Sequence, residues 1–178
     1  MNAKRWLAIL LLAAVGVLAA AACGGDNGDS PAVQPAATGT TQSGSQVKLT
    51  QSDDQGGVGI DVTWVTPETL GELDSEQARG YGLDDYVLLE VKFTTHSGDL
   101  SRLDMTRLSA IRVDGQEYAP QAWESISDNP HHRAGVLVFT REAADGASLD
   151  AGAVELVMKG IADVPERVFR WQWPARSG

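Results

Sequence analysis

Short stretches in which apolar and polar residues alternate dominate this chain from about residue 58 onward. The clearest is Tyr86–Thr95, where every second residue from Val87 to Phe93 is apolar. A period of two places such residues on one face of a β-strand. Further short stretches typical of strands, some of them alternating and others mainly apolar, lie at residues 58–64, 108–113, 117–119, 135–140, 154–158 and 167–173. The pattern therefore predicts about seven short strands.

The segments between these strands contain turn signals and no pattern of a long amphipathic helix. Asp114-Gly115 is a strong hairpin signal, and one short helix is predicted at residues 75–79, ended by Gly80. Residues 120–132 have no clear period and are predicted to be irregular, while Val164-Pro165 is predicted to be a bend.

Many short strands joined by turns predict an all-β fold, an antiparallel β-sandwich of immunoglobulin-like size with short helical turns. A small barrel is the alternative. Cys23 is the only cysteine in the sequence, so the disulfide of true immunoglobulin domains is excluded. We expect Trp64, Trp171 and Trp173 to supply core volume in its place.

The first 22 residues have the layout of a secretory signal peptide. Lys4 and Arg5 precede an apolar run that ends in four alanines directly before Cys23. This arrangement resembles the lipobox of bacterial lipoproteins, in which the cysteine is lipidated and its new amino terminus is acylated, for example with palmitate. The resemblance implies a lipid anchor at Cys23 and a location on the extracytoplasmic face of a bacterial cell membrane. The alternative is an ordinary cleaved signal followed by an incidental thiol.

Composition divides the remaining chain into a linker and one domain. Residues 23–46 hold the cysteine and then a stretch rich in Gly, Ala, Ser, Thr and Pro, which predicts a flexible spacer. Residues 47–175 are one domain's length of chain, and residues 176–178 are a tail. Without Lys4 and Arg5 the chain has 12 basic residues and a net charge of −12. That charge argues against a nucleic-acid partner and favours a cationic ligand.

Three histidines provide the candidate metal ligands of the domain. His96 directly follows the stretch 86–95, and His131 and His132 shortly precede the stretch 135–140. If these two strands are antiparallel neighbours, all three imidazoles lie at one end of the sandwich, where they could bind zinc or copper. The alternative is that they order the loops through hydrogen bonds to backbone carbonyls.

Two further residues are candidates for ligand contact. Trp123 could offer a stacking surface, or it could cover the end of the core. Arg133 could recognise a carboxylate or phosphate, or it could pair with neighbouring acids. The sequence has no G-x-S-x-G elbow, phosphate-binding loop or dinucleotide fingerprint, and no catalytic residue is predicted.

Residues 95–100, 131–137 and 165–171, together with Trp123, resemble a group of uncharacterised bacterial envelope proteins. The group has no established activity, so the resemblance implies no function. The residues themselves predict a membrane-anchored lipoprotein that acts as a non-enzymatic binding module, with a transition metal ion as candidate ligand. An accessory domain that docks on another envelope protein is the first alternative, and a hydrolase with an unidentified site is the second.

Overall fold

The computed structural model describes residues 47–174 as a sandwich of two antiparallel sheets, which confirms the all-β prediction. Four predicted features lie outside the described residues: the signal peptide (1–22), the lipidation site Cys23, the linker up to residue 46 and the tail 176–178. The first sheet has the strand order β1-β2-β3-β7-β6 and the second β5-β4-β8-β9. Every ladder between neighbouring strands is antiparallel. The strands are β1 (Thr50–Gln55), β2 (Val58–Trp64), β3 (Tyr86–Thr95), β4 (Ser109–Val113), β5 (Gln116–Tyr118), β6 (Ala122–Asp128), β7 (Arg133–Thr140), β8 (Ala153–Ile161) and β9 (Val164–Gln172).

The main core lies between the sheets and is built by the alternating apolar residues. Alternate residues of β2 and β3, from Val58 to Trp64 and from Val87 to Phe93, are buried there. Trp64 contacts Trp171 with ring centroids 5.4 Å apart and Trp173 at 4.8 Å. Aromatic side chains of this size bury large apolar areas, so the three tryptophans supply core volume as predicted.

The structure has nine strands in the described region, two more than predicted. The two additional strands, β1 and β6, have no readable alternation of apolar and polar residues. β1 has the sequence TQSDDQ, and none of its residues is fully buried. The prediction that residues 120–132 are irregular is wrong, since β6 occupies Ala122–Asp128. The register of β6 shifts between Ser125 and Ser127, and such a bulge interrupts the two-residue alternation.

The predicted bend at Val164-Pro165 is also wrong. The turn comes two residues earlier, at Ala162 and Asp163, whose φ angles are +53° and +59°. Positive φ at both central residues is the backbone of a tight hairpin turn. Pro165 lies inside β9, which is an edge strand, and an edge position tolerates the missing N–H donor of proline.

Residues 65–85 connect β2 to its direct neighbour β3 and cross the outer face of the five-stranded sheet; we call this connection the strap. It holds a short 3-10 helix, Leu70–Glu72, and the helix α1, Glu76–Arg79. Ser75 caps α1 by accepting a hydrogen bond from the N–H of Ala78 at 3.1 Å. A further helical turn, α2 (Met105–Leu108), precedes β4. Within the described region, no helix is long and apolar enough to cross a membrane.

The strap has its own apolar contact with the sheet. Leu73 and Ala78 pack over Leu88, Val136 and Val138 in a second cluster of buried residues. The Tyr81 hydroxyl also donates a hydrogen bond at 2.9 Å to the buried carboxylate of Glu124. Within residues 47–174, the strap therefore covers one half of this sheet face, and the β1–β2 half has no such cover.

Candidate functional site

The antiparallel pairing of β3 with β7, which was the condition for the predicted clustering, brings the histidine loops to one end of the sandwich. The Thr95 N–H donates to the carbonyl of His131 at 3.0 Å. The backbone N–H groups of His131 and His132 both donate to Asn129 Oδ1, at 2.9 and 3.0 Å. All three histidines are exposed, and the loop of the His pair is ordered by Asn129.

Shared location at one end does not by itself make a metal site. Among residues 47–174, no group of three or more His, Cys, Asp and Glu side chains is arranged to hold a metal ion. Asp99 lies in the loop that follows His96. The Ser101 hydroxyl, which donates to it at 2.6 Å, holds the pKa of Asp99 below its usual value. The charges of Arg102 and His131 act in the same direction.

Trp123 and Arg133 lie side by side at the β6–β7 pair. The guanidinium carbon of Arg133 is 5.2 Å from the centroid of the Trp123 ring, which is a cation–π distance. Arg133 is only 5 % exposed, and its Nη1 donates to the carbonyls of Leu100 and Leu103 at 3.0 and 2.7 Å. These bonds tie the loop before α2 to β7. Ligand contact by either side chain stays a prediction.

The buried charged groups in the described region bind other parts of the fold and so stabilise it. Besides Arg133, they are Glu124, which accepts from Tyr81, and Arg167. Arg167 pairs with Asp53 and donates to the carbonyls of Gln55 and Val58 at 2.7 and 3.1 Å. Each of the three therefore has an internal partner, as buried charges require.

The outer face of the four-stranded sheet has a balanced set of charges. Arg112 pairs with Glu117 at 2.8 Å, with Glu155 at 3.2 Å and with Glu166 at 3.0 Å. Lys159 also pairs with Glu117, and Arg170 with Glu155. The hydrogen bond that Arg112 donates to Glu166, followed by the one it donates to Glu117, raises the pKa of Arg112. Three bases thus neutralise three acids, and this face carries no net charge.

The acidity of the chain is concentrated on β1, β2, the strap and the start of β3. Residues 50–90 contain ten Asp and Glu residues and a single basic residue, Arg79. The side chain of Arg79 donates to the carbonyl of Leu73. Within the described region, Asp53 and Glu90 are the members of this acidic set that form ion pairs. The negative charges of most of these carboxylates are therefore available to interact with solvent or with a partner.

Five of these acids surround the uncovered half of the five-stranded sheet, and we call this surface the acidic face: Asp54, Asp61, Glu72, Asp74 and Glu90. A depression of about 360 Å³ lies over Gly59 and is lined by Ser52, Asp54, Asp61 and Thr94. It forms because Gly59 lies on the outer face, between the buried residues Val58 and Ile60, and has no side chain there.

A second depression of about 140 Å³ lies between the strap and the sheet. Thr63, Glu90 and Lys92 of the sheet and Glu72 and Asp74 of the strap line it. Asp61 pairs in register with Lys92, and Thr63 with Glu90, so this depression directly continues the first one along β2 and β3.

The acidic face was not predicted, although part of the pattern that forms it is visible in the sequence. The outward positions of β2 and β3, from Asp61 and Thr63 to Glu90 and Thr94, are polar in the alternating pattern. Their meeting with Glu72 and Asp74 depends on how the strap folds back over the sheet. Comparison of the chain with protein-family models, with curated proteins and with solved structures finds no match.

Proposed function

We propose that this protein is a bacterial lipoprotein, anchored through Cys23 on the extracytoplasmic face of the membrane, whose sandwich is a non-enzymatic binding module for a positively charged protein. The acidic face is the observation that supports the partner. Its five carboxylates surround two adjoining depressions, and within the part of the chain that the structure describes Lys92 is the single basic residue that lines them.

The two outer faces of the sandwich differ in a way that favours one docking surface. Charges on the four-stranded sheet already have partners, so a ligand there would have to break existing ion pairs. Among residues 47–174, carboxylates on the acidic face lack ion-pair partners, apart from Glu90 with Lys92 at 3.0 Å. Complementary charge accelerates association and selects partners, so a basic protein surface fits this face.

The linker sets how far the domain reaches from its anchor. The predicted linker of 23 residues, from Gly24 to Gln46, would span on the order of 25 Å root-mean-square as a flexible chain. This distance allows the domain to stand clear of anionic lipid headgroups, which would repel its carboxylates.

The anchor is tested in bacterial cells that express the full chain and are fed a palmitate analogue with a clickable tag. Labelled, membrane-bound protein is expected for the natural sequence, and Cys23→Ala should lose both the label and the membrane fraction. Unlabelled protein in the soluble fraction of cells expressing the natural sequence would refute the anchor.

The partner chemistry is tested with the full chain in detergent and a ten-residue peptide of alternating lysine and threonine. We expect Asp54→Asn combined with Asp61→Asn to weaken binding about tenfold. Glu155→Gln combined with Glu166→Gln removes the same charge from the outer face of the four-stranded sheet and should change affinity less than twofold. Equal effects of the two double variants would show that net charge alone attracts the peptide and would overturn the acidic face as docking surface.

Transition-metal binding is the second candidate, and the Thr95–His131 backbone bond favours it by holding the His96 and His131 loops together. Calorimetric titration of the untagged full chain with zinc and with copper tests it. A stoichiometric site that disappears when His96, His131 and His132 are changed to Ala would support this candidate. Equal heats for both proteins would remove it.

A further inference from the structure

The depression between strap and sheet has the composition of a pocket for one basic side chain. Val65 and Leu73, which are 4 % and 3 % exposed, contribute an apolar floor. The hydroxyl-bearing residues Thr63 and Thr69 lie beside them, and the carboxylates of Glu72, Asp74 and Glu90 complete the lining. Protein cavities of roughly 150 Å³ hold a molecule the size of benzene, so 140 Å³ is enough for one long side chain.

We propose that this pocket receives a single lysine or arginine side chain of the partner protein; the inference rests on the proposed function and locates its central contact. The methylene stem would lie against Val65 and Leu73, as the stems of such residues do on apolar surface. The cationic head would lie among Glu72, Asp74 and Glu90, where a carboxylate from the strap and one from the sheet approach it together.

Lys92 acts as an internal competitor for this position. Its ammonium pairs with Glu90 at 3.0 Å, while 59 % of its side chain is exposed to solvent. Such an exposed pair is weak, so an incoming cation can replace it. Removal of the Lys92 charge should then strengthen binding of a basic side chain.

The pocket is tested by filling it without changing any charge. Thr63→Phe in the full chain is expected to weaken binding of the lysine–threonine peptide about tenfold. Thr63→Val is the matched control, because it removes the same hydroxyl and its 3.0 Å contact with Thr50 without adding volume. It should leave affinity within twofold of the natural protein.

A second pair of variants tests the competitor. Lys92→Met should tighten binding about threefold, whereas Arg102→Met, which changes net charge equally at a distant exposed loop, should tighten it less than Lys92→Met does. Equal tightening by the two variants would overturn the role of Lys92.

The outcomes separate the pocket from the proposed function. Full affinity of Thr63→Phe, together with weak binding of the Asp54→Asn and Asp61→Asn double variant, would refute the pocket and leave the acidic face standing. Full affinity of all of these variants would refute both.

If Thr63→Phe fails to fold, Glu72→Gln with Asp74→Asn replaces it. Its control is Glu76→Gln with Asp84→Asn, which removes the same charge from strap residues outside the pocket. Equal effects of these two strap variants would overturn the pocket.

Discussion

The guanidinium of Arg167 forms an ion pair with the carboxylate of Asp53. This pair joins β9, an edge strand of the four-stranded sheet, to β1, an edge strand of the five-stranded sheet. The Arg167 side chain is 0 % exposed and that of Asp53 is 20 % exposed. Since β1 has no fully buried residue of its own, this pair and the carbonyl bonds of Arg167 hold the first strand to the second sheet.

Replacement of Arg167 should therefore be costly. Arg167→Met is expected to lower the free energy of unfolding by about 3 kcal/mol, because a partly buried carboxylate and two carbonyls lose their donor. Arg170→Met is the control, since its side chain is 68 % exposed and its pair with Glu155 lies at the surface; it should cost less than about 1 kcal/mol. Urea denaturation of both variants measures the difference, and equal costs would contradict the role of Arg167.

A side chain at position 135 should disrupt the β6–β7 pair. A Cβ on Gly135 would overlap the Trp123 ring and lie 2.7 Å from the carbonyl oxygen of Glu124. Gly135→Ala is thus expected to destabilise the fold by about 2 kcal/mol or more. Gly59→Ala adds the same methyl where the only neighbour is the Thr94 carbonyl oxygen at 3.8 Å, and it should be nearly neutral. Similar unfolding curves of the two variants would show that Trp123 moves aside easily.

The strap should loosen when Tyr81 loses its hydroxyl. Tyr81→Phe leaves the buried carboxylate of Glu124 without this donor, and we expect a loss of about 2 kcal/mol. Tyr118→Phe removes a comparable 2.9 Å hydrogen bond to Asp145 at the surface and should cost much less. Hydrogen exchange is the second readout: faster exchange confined to residues 65–85 is expected for Tyr81→Phe, and unchanged exchange would contradict the anchoring role.

Acid should weaken the ion pairs of Glu117 on the outer face of the four-stranded sheet. The hydrogen bond from Lys159, followed by that from Arg112, holds the pKa of Glu117 below the ordinary 4.5. A carboxyl whose pKa is lowered by folding stabilises the protein above its unfolded pKa and loses that effect as the pH falls through the folded pKa. The advantage of the natural protein over Glu117→Gln in urea should therefore be constant from pH 7 to about 5 and shrink below about 4.5. An advantage that persists at pH 2 would contradict the ion-pair explanation.

The alternation of apolar and polar residues determined the fold class and most of the strands. β3 was predicted with its observed bounds, Tyr86–Thr95, and the hairpin at Asp114-Gly115 joins β4 to β5. The helix capped by Ser75 was also predicted. Each of these features depends on interactions between residues close in sequence, such as the burial of one strand face or the satisfaction of a helix end, and these leave a local pattern.

Only the tertiary structure decided where β1 and β6 lie and what the acidic face contains. β1 is a strand because its backbone pairs with β2 and Arg167 holds it from a position more than a hundred residues away. Glu72 and Asp74 meet Glu90 because the strap packs its apolar side chains onto Leu88, Val136 and Val138. Contacts between distant residues leave no period in the sequence, since the partners are selected by the packing of whole elements and not by spacing along the chain.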